Sequence, residues 1–415
     1  MVSLRADQSV GNDTEVAGGI GSTSPEFSKT EITEFLFGTT WSAAVCMVPW
    51  QVFTQYGDKQ IVRDNIETMM DWLNGMAYYR MSEEYPYLSS KTDGLADWLA
   101  VDERTPNELV NNAIYIYMIE ATATMAAAIG REDYAATLRE RHKKAKADWN
   151  RAYVDPATGK TRSRDGKIVN SQASYATPLN FNCFSDENKA RAEALLADIV
   201  AHPEDKDQKP WTITTGFSGT PNILPALTRG GYAEEAYRMI SCSDYPSWLY
   251  PVTKGATSIW ERWNSYDKAF DNSGYNGMNS FNHFALGAVG YWMYEYQLGI
   301  TTDHQNGVAG YKDFVLQPIA GGDYTSLEGS YTSNYGTIES AWTAEKGKMT
   351  SYRCTVPANT KATLYLPVGD DVMEAEERDG AAFKGFVTRN GLRTACFEIT
   401  SGTHVFTIGG KVSAN

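Results

Sequence analysis

The amino-acid sequence predicts a mainly α-helical fold in which helical hairpins form an (α/α) barrel, followed by a C-terminal β-sandwich. Amphipathic helical segments recur in pairs from about residue 30 to about residue 300, and they are too numerous for a four-helix bundle. After about residue 307 the hydrophobic period changes from 3.6 residues toward 2, which is typical of strands. An open α-solenoid is the alternative for the helical part, although no repeat of fixed length marks one.

The helices are predicted to follow an irregular N-terminal segment, residues 1–28, which is rich in Gly, Ser, Thr and Asp. Residues 41–56 and 61–79 form the first predicted hairpin, and Asp58 is placed to cap its second helix. Gly130 is placed to end a later helix. The other predicted helices cover residues 108–129, 131–153, 171–179, 186–201, 221–228, 232–240 and 281–299.

The change of period separates two predicted domains, a barrel at residues 29–306 and a β-sandwich at residues 307–415. In a barrel of this kind each hairpin contributes one helix to an inner ring, and the loops at one rim form a concave site. The predicted strands lie at residues 314–318, 326–331, 336–342, 349–356, 361–366 and 404–408.

The composition argues against several classes of partner. The net charge is −14 and the longest basic cluster is Arg141-His-Lys-Lys144, so nucleic acid is not an expected partner. No apolar run reaches the roughly 18 residues of a membrane span, and the N-terminus lacks the layout of a signal peptide. We expect a soluble protein that is cytoplasmic or, as part of a longer parent, periplasmic or secreted.

No sequence motif predicts a bound metal ion or organic cofactor. The five cysteines are scattered without CxxC or CxxxH spacing, which predicts free and mostly buried thiols. The sequence contains no nucleotide-binding glycine loop, no His-Glu-x-x-His and no Gly-x-Ser-x-Gly. We therefore look for chemistry carried by side chains alone.

The residues most suggestive of chemistry lie in a tryptophan-rich stretch in which Glu261 stands between Trp260 and Trp263, and His283 follows in the next segment. Aromatic faces stack on the C–H surfaces of sugar rings, and desolvation beside indole rings makes a carboxylate more basic. The pattern therefore indicates a sugar site. The alternative is an interfacial glutamate paired with Arg262.

Glycoside hydrolysis requires two carboxyl groups, one to protonate the leaving oxygen and one to activate water or attack the sugar. Trp98 follows a carboxylate, but core packing explains this tryptophan equally well. His283 has a similar alternative as a capping or core histidine near a helix start. The carboxylates that lie near aromatic residues are Asp93, Asp97, Asp244, Glu261 and Asp267.

Four segments carry a family resemblance when they are taken together. They are residues 215–227 (TGFSGTPNILPAL), 244–250 (DYPSWLY), 255–264 (GATSIWERWN) and 278–289 (MNSFNHFALGAV). In this order they closely resemble the bacterial α-L-rhamnosidases of glycoside hydrolase family 78. Shorter matches, such as Ala96-Asp-Trp-Leu99, extend the resemblance from about residue 35 to the end of the chain.

The resemblance implies an (α/α)6 barrel followed by a C-terminal β-sandwich, with no metal ion and no organic cofactor. It implies inverting hydrolysis of terminal α-L-rhamnose from plant glycosides or pectic side chains, with Glu261 as the general base that activates water. Trp41 and Trp98 are then walls against the apolar face and methyl group of rhamnose, and His283 contacts a sugar hydroxyl. We expect Trp260, beside the base, to be a further substrate contact.

The sequence departs from the family pattern in one respect that bears on activity. The family's general acid lies in a segment of Asp, Glu and Arg followed by Gly-Trp, upstream of the first helices, and the sequence contains no such segment. Residues 4–8 look like the end of a family helix, and Trp41-Ser42-Ala43 stands where the family often has Trp-Gly-Asp. We therefore expect an N-terminally truncated chain with an incomplete barrel that hydrolyses rhamnosides weakly or not at all.

Two alternative functions remain open at this point, and the sequence does not indicate an oligomeric state. A non-catalytic relative that binds rhamnose or another glycan would keep Trp41, Trp98 and His283 without hydrolysing its ligand. A related (α/α)6 glycosidase specific for uronic acids would need a cationic pocket, for which Arg262 alone is the support.

Overall fold

The computed structural model describes residues 39–90, 94–270 and 279–415. The predicted irregular segment, residues 1–28, and the candidate carboxylate Asp93 lie outside the described residues.

The chain divides into two compact units. The first comprises the described residues up to Phe53 together with Asp58–Glu204 and Thr214–Ala226. The second comprises Thr54–Gly57, Asp205–Ile213 and Leu227–Asn415.

Most of the predicted helices are present, with ends that differ from the prediction by two residues or fewer. The helix predicted over residues 41–56 is interrupted at Ala43, and Asp58 caps the next helix by accepting hydrogen bonds from the N–H groups of Gln60 and Ile61. The helices are α1 (Thr39–Ser42), α2 (Ala44–Tyr56), α3 (Lys59–Tyr78), α4 (Asn107–Ala128), α5 (Glu132–Tyr153), α6 (Gln172–Asn180), α7 (Asp186–Ala201), α8 (Thr220–Arg229), α9 (Ala233–Ser241), α10 (Leu249–Thr253) and α11 (Ser265–Phe270).

The hairpin of α4 and α5 shows the two kinds of helix that a barrel of hairpins needs. Most residues of α4 are buried, as expected for a helix surrounded by protein, whereas α5 buries a single stripe that includes Trp149. Gly130, with a φ of +82°, reverses the chain between them. Trp149 Nε1 donates to Leu109 O at 3.1 Å and joins the two helices. α4 therefore has the character of an inner helix and α5 that of an outer helix.

The stability of this hairpin is expected to fall as the pH is lowered from about 6.5 toward 4, because of His142 on α5. Burial and the positive charge of Lys146 lower the pKa of His142 to about 4. Nε2 has no hydrogen-bond partner among the described residues, although Glu120 lies 4.0 Å away. The unfolded state binds its proton at higher pH than the folded state, so acidification through this window favours unfolding, by on the order of 2 kcal/mol at pH 5.

Urea unfolding of the wild type and of His142→Gln at pH 7 and pH 5 checks this expectation. The glutamine variant should lose less stability than the wild type on going to pH 5. An equal loss in the two proteins would show that His142 is not responsible.

The helix predicted over residues 281–299 starts later and is irregular. Leu298 N–H donates to Met293 O at 2.9 Å, the i to i−5 bond of a π turn. The π turn follows Trp292, whose Nε1 donates to Thr228 Oγ1 at 2.8 Å. The π turn therefore lies next to a hydrogen bond between segments that are far apart in the sequence. Hydrophobic periodicity cannot predict such a bond. The segment consists of a 3-10 turn (Ala285–Ala288), α12 (Val289–Trp292) and the π turn (Met293–Gln297).

Nine strands in the described residues form one connected sheet after this helical segment. They are β1 (Ile300–Thr301), β2 (Asp313–Leu316), β3 (Ser326–Ser333), β4 (Gly336–Glu345), β5 (Lys348–Pro367), β6 (Ala375–Glu376), β7 (Ala381–Arg389), β8 (Leu392–Ile408) and β9 (Val412–Ala414). The order along the main path is β1-β2-β5-β8-β9-β6, with β3 beside β4, β4 beside β5 and β7 beside β8.

The two longest strands, β5 and β8, pair with each other and belong to both halves of this sheet, the half that contains β4 and the half that contains β2. β5 pairs with β4 before Val356 and with β2 from Lys361 onward, and its register with β8 shifts between these two residues. One buried cluster receives side chains from both halves, among them Trp342, Tyr352 and Phe397. A sheet that changes partners at an irregularity and encloses a shared core has the two-layer character of a sandwich.

Candidate active site

Two loop segments of the second unit lie side by side and are joined by two backbone hydrogen bonds. Glu261 N–H donates to Ser280 O, and His283 N–H donates to Ile259 O, both at 2.9 Å. Because each bond joins one segment to the other, Glu261 and His283 lie on adjacent stretches of backbone. The structure therefore brings together the two residues for which the sequence predicted chemistry.

Glu261 is partly buried, and the two tryptophans that flank it in the sequence, Trp260 and Trp263, are only 4% and 3% exposed. Among the described residues, no hydrogen bond or ion pair engages its carboxylate. In particular it forms no ion pair with Arg262, whose backbone N–H donates to Ser265 Oγ at 3.0 Å. The described residues therefore do not form the alternative, a structural ion pair between Glu261 and Arg262.

Trp260 has a packing role in addition to its predicted role as a sugar contact. Its ring meets Phe281 edge-on, with 5.4 Å between centroids, and stacks with Tyr266 at 6.4 Å. It also lines a cavity of about 330 Å³, near the lower end of the range for ligand pockets. The other residues lining this cavity include Trp248, Pro251, Ile259, Arg262, Trp263 and Leu286.

His283 is oriented by its own backbone surroundings. Ala285 N–H donates to His283 Nδ1 at 3.2 Å, and the imidazole stacks on Phe284 with 5.1 Å between centroids. A neutral imidazole that accepts at Nδ1 carries its proton on Nε2. The contact from Ala285 therefore favours the tautomer with its N–H at Nε2.

Trp98 lies in a tight loop of the first unit that is held by Asp97. The two residues on either side of this pair, Ala96 and Leu99, have φ values of +38° and +62°, which residues other than glycine rarely adopt. Asp97 accepts hydrogen bonds from Gly216 N–H at 2.9 Å and Gly219 N–H at 2.7 Å. The carboxylate therefore pins the strained loop to a segment more than a hundred residues away.

Further contacts make this junction tight. Ser218 Oγ donates to Asp97 at 3.2 Å, and Phe217 N–H donates to Trp98 O at 2.9 Å. A Cβ on Gly216 would lie 2.2 Å from Trp98 O, so only glycine fits there. Desolvation raises the pKa of the Asp97 carboxyl, although the surrounding donors favour its charged form. All of these contacts serve to hold Trp98 rather than to leave Asp97 available for a proton transfer.

Trp41 lies on the short helix α1 and is partly buried in the first unit. The residues before and after it are fixed by hydrogen bonds. Thr40 Oγ1 donates to Asn111 Oδ1 on α4, and Trp72 Nε1 on α3 donates to Ser42 Oγ at 3.1 Å. Trp41 is thus supported by two neighbouring helices.

The remaining candidate carboxylates of the described residues are exposed. Asp244 is at the surface, and Asp267 accepts a hydrogen bond from Tyr250 Oη at 3.2 Å.

Four of the five cysteines are buried free thiols, as predicted, and Cys242 is a partly buried one. The buried ones are Cys46, Cys183, Cys354 and Cys396. No group of three His, Cys, Asp or Glu in the described ranges is placed to hold a metal ion. Among the helices that can be described, none is long and apolar enough to cross a bilayer.

Two protein domain families match this chain over most of its length. Residues 8–297 match a bacterial α-L-rhamnosidase six-hairpin glycosidase domain, and residues 299–381 match a bacterial α-L-rhamnosidase C-terminal domain. The chain belongs to the bacterial α-L-rhamnosidase family. The predicted order, a six-hairpin helical domain followed by a sheet-rich C-terminal domain, is thereby confirmed, and an open solenoid is disfavoured.

Individual α-L-rhamnosidases match nearly the whole chain. An alpha-L-rhamnosidase of Streptomyces avermitilis is 33% identical over 372 residues, which are 89% of this chain and 33% of that protein. The crystal structure of the Streptomyces avermitilis alpha-L-rhamnosidase complexed with L-rhamnose matches 98% of this chain and 36% of that chain, with a TM-score of 0.78 and 30% identity. The alpha-L-rhamnosidase from Aspergillus terreus has the same fold over 98% of this chain and 42% of its own, with a TM-score of 0.78 and 23% identity. The chain spans about a third of the length of the curated relatives it matches.

For this member of the α-L-rhamnosidase family, sequence analysis named Glu261, His283 and Trp98 as candidates but did not identify the residues that hold Trp98 in place. Asp97 was considered only as a candidate catalytic carboxylate, whereas its contacts are those of a loop anchor. A signal was present in the segment Gly216-Phe-Ser-Gly219, because two glycines and a serine leave backbone N–H groups open to a carboxylate.

Proposed function

We propose that this chain contains the rhamnose-binding and water-activating residues of an inverting α-L-rhamnosidase, which acts on terminal rhamnose of plant glycosides or pectic side chains. The observation that carries the proposal is the pair of backbone hydrogen bonds that places Glu261 beside His283. The buried tryptophans on either side of Glu261, and the absence of a counter-ion among the described residues, support its role as a base.

In the proposed reaction Glu261 removes a proton from a water molecule. The water oxygen attacks the anomeric carbon, and the bond from that carbon to the aglycone oxygen breaks on the opposite face of the sugar. The released aglycone oxygen takes up a proton from an acid or, when it is a stable anion, from solvent. The first product is therefore β-L-rhamnose.

The proposed substrate contacts use the chemistry that each side chain offers. Trp41 and Trp98 present indole faces to the C–H surface and methyl group of rhamnose. His283, with its proton on Nε2, donates to a sugar hydroxyl. Trp260 is held by Phe281 and serves as a rigid wall beside Glu261.

The test compares two substrates that differ in their need for an acid. No residue is assigned as the general acid, so a dinitrophenyl α-L-rhamnoside, whose leaving group needs no proton, is expected to be hydrolysed more readily than methyl α-L-rhamnoside by a factor of about 10²–10⁴. Proton NMR of the early reaction should show the β anomer first. Appearance of the α anomer first would contradict water activation by Glu261 in a single displacement.

The second candidate function is a non-catalytic protein that binds rhamnose or another glycan, and it is favoured by the unassigned general acid. It predicts that neither rhamnoside is hydrolysed and that free rhamnose still binds, with an affinity that Glu261→Gln leaves unchanged. Calorimetric titration with L-rhamnose and the hydrolysis assay together distinguish the two functions.

A further inference from the structure

A cavity of about 260 Å³ in the first unit has no part in the proposed hydrolysis. It is several times the roughly 30 Å³ that one water occupies in the liquid, so it has room for a small ligand. Its walls come from α3, α4, α5 and the loop that follows α3. The residues that line it are Ala77, Arg80, Pro86, Tyr87, Tyr115 and Arg141.

Tyr115 brings an unsatisfied hydroxyl to this cavity. The residue is 1% exposed, and no described residue accepts a hydrogen bond from its hydroxyl proton. Such groups are few in native proteins, and leaving one unpaired costs about 1–3 kcal/mol. Burial raises the pKa of Tyr115 against the charge of Arg141 and a hydrogen bond from its guanidinium, so the phenol stays protonated and can donate at neutral pH. The position needs an acceptor atom.

Two guanidinium groups line the same cavity without a carboxylate partner in the described part of the chain. Arg141 donates to Leu73 O at 3.2 Å and to Asn74 Oδ1 at 2.8 Å, which leaves further N–H donors of its fork for a ligand. Arg80 is exposed and makes no ion pair with any described residue. In a chain of net charge −14, two such cations beside one cavity favour an oxyanion.

The neighbouring carboxylates already have partners of their own. Asp148 accepts a hydrogen bond from Tyr87 N–H at 3.0 Å and pairs with Arg151 at 2.6 Å. Glu140 pairs with Lys144 at 3.5 Å. These two carboxylates are therefore paired with other cations and form no ion pair with Arg80 or Arg141.

We propose that this cavity binds a small oxyanion, a phosphate or a sugar carboxylate, through the Tyr115 hydroxyl and the guanidinium groups of Arg80 and Arg141. The chemistry is shared by the two sources because both present oxygen atoms that accept a hydrogen bond from the phenol and a bidentate contact from arginine. The inference does not depend on Glu261 or on hydrolysis.

The test is calorimetric titration of the full chain at constant ionic strength with inorganic phosphate, with glucuronate and with neutral glucose. Phosphate or glucuronate is expected to bind, which also identifies the source, whereas glucose is not. Tyr115→Phe and Arg80→Gln should each weaken binding about tenfold or more, as loss of one hydrogen bond to a charged group predicts. Failure of both anions to bind the wild type would overturn the proposal.

Tyr115→Phe also separates a ligand site from a packing role. Because the hydroxyl proton has no acceptor, its removal should leave the free energy of unfolding nearly unchanged when no anion is present. The matched control is Arg139→Gln on α5, the helix of Arg141, where the exposed guanidinium pairs with Glu132 at 3.6 Å. A marked destabilisation by Tyr115→Phe, or an equal loss of anion binding in Arg139→Gln, would contradict the assignment.

Discussion

Glu261→Gln is expected to reduce hydrolysis of dinitrophenyl α-L-rhamnoside by about 10²–10⁴-fold while L-rhamnose still binds. Glutamine has the shape of glutamate and leaves the backbone bond to Ser280 and the packing of Trp260 and Trp263 in place. It cannot accept a proton from water, so only the step that the base assists is lost. Steady-state kinetics for turnover and calorimetry for binding check the two halves of this expectation.

Two further measurements make the Glu261 result specific. Azide, an anionic nucleophile that needs no base, should restore turnover of the glutamine variant and yield β-L-rhamnosyl azide. Asp267→Asn is the matched control, because Asp267 is a nearby exposed carboxylate whose partner is Tyr250 Oη. Full activity in Glu261→Gln, or an equal loss in Asp267→Asn, would show that Glu261 is not the base.

Asp97→Ala is expected to lower the free energy of unfolding by about 2–4 kcal/mol and to weaken rhamnose binding. The change leaves the N–H groups of Gly216 and Gly219 and the hydroxyl of Ser218 without their acceptor. The desolvation that raises the pKa of Asp97 offsets part of this stabilisation, which keeps the expected loss below the sum of three charged hydrogen bonds. Urea unfolding gives the stability, and quenching of tryptophan fluorescence by L-rhamnose gives the binding.

Asp102→Asn is the matched control for Asp97, because it removes an acid a few residues along the same connection. Asp102 pairs with Arg104 at 2.8 Å, and the arginine side chain is 55% exposed, so the loss should stay below about 1 kcal/mol. Gly216→Ala provides an independent variant, since the new methyl group meets Trp98 O and should weaken rhamnose binding in the same direction. Rhamnose binding that survives both Asp97→Ala and Gly216→Ala would show that this junction does not position the Trp98 contact.

Local patterns were sufficient to predict most helices because helical periodicity and capping act over a few residues. The helix Asp186–Ala201 has the bounds that its amphipathic pattern predicted, and Gly130 ends its helix as expected. The β-hairpin at Asn390 and Gly391 was overlooked, although both residues have positive φ values and Asn-Gly is a strong signal for a two-residue turn.

Long-range pairing explains the errors in the C-terminal part of the chain. Residues 349–356 and 361–366, between which Pro357 and Asn359 stand, were predicted as separate strands. The structure carries β5 through this point, since β8 continues beside it after the register shift. The partner strand, rather than the local sequence, decides that the chain remains extended.

The family, the order of a helical part and a sheet-rich part, and the candidates Glu261, His283 and Trp98 could all be predicted from the sequence, because motifs and hydrophobic periods are local to the chain. The backbone groups that place Glu261 beside His283, and the role of Asp97 as the anchor of the Trp98 loop, became visible in the fold alone. These contacts join residues that are far apart in sequence, and a buried carboxylate or backbone N–H takes its partner from whatever the fold brings within hydrogen-bonding distance.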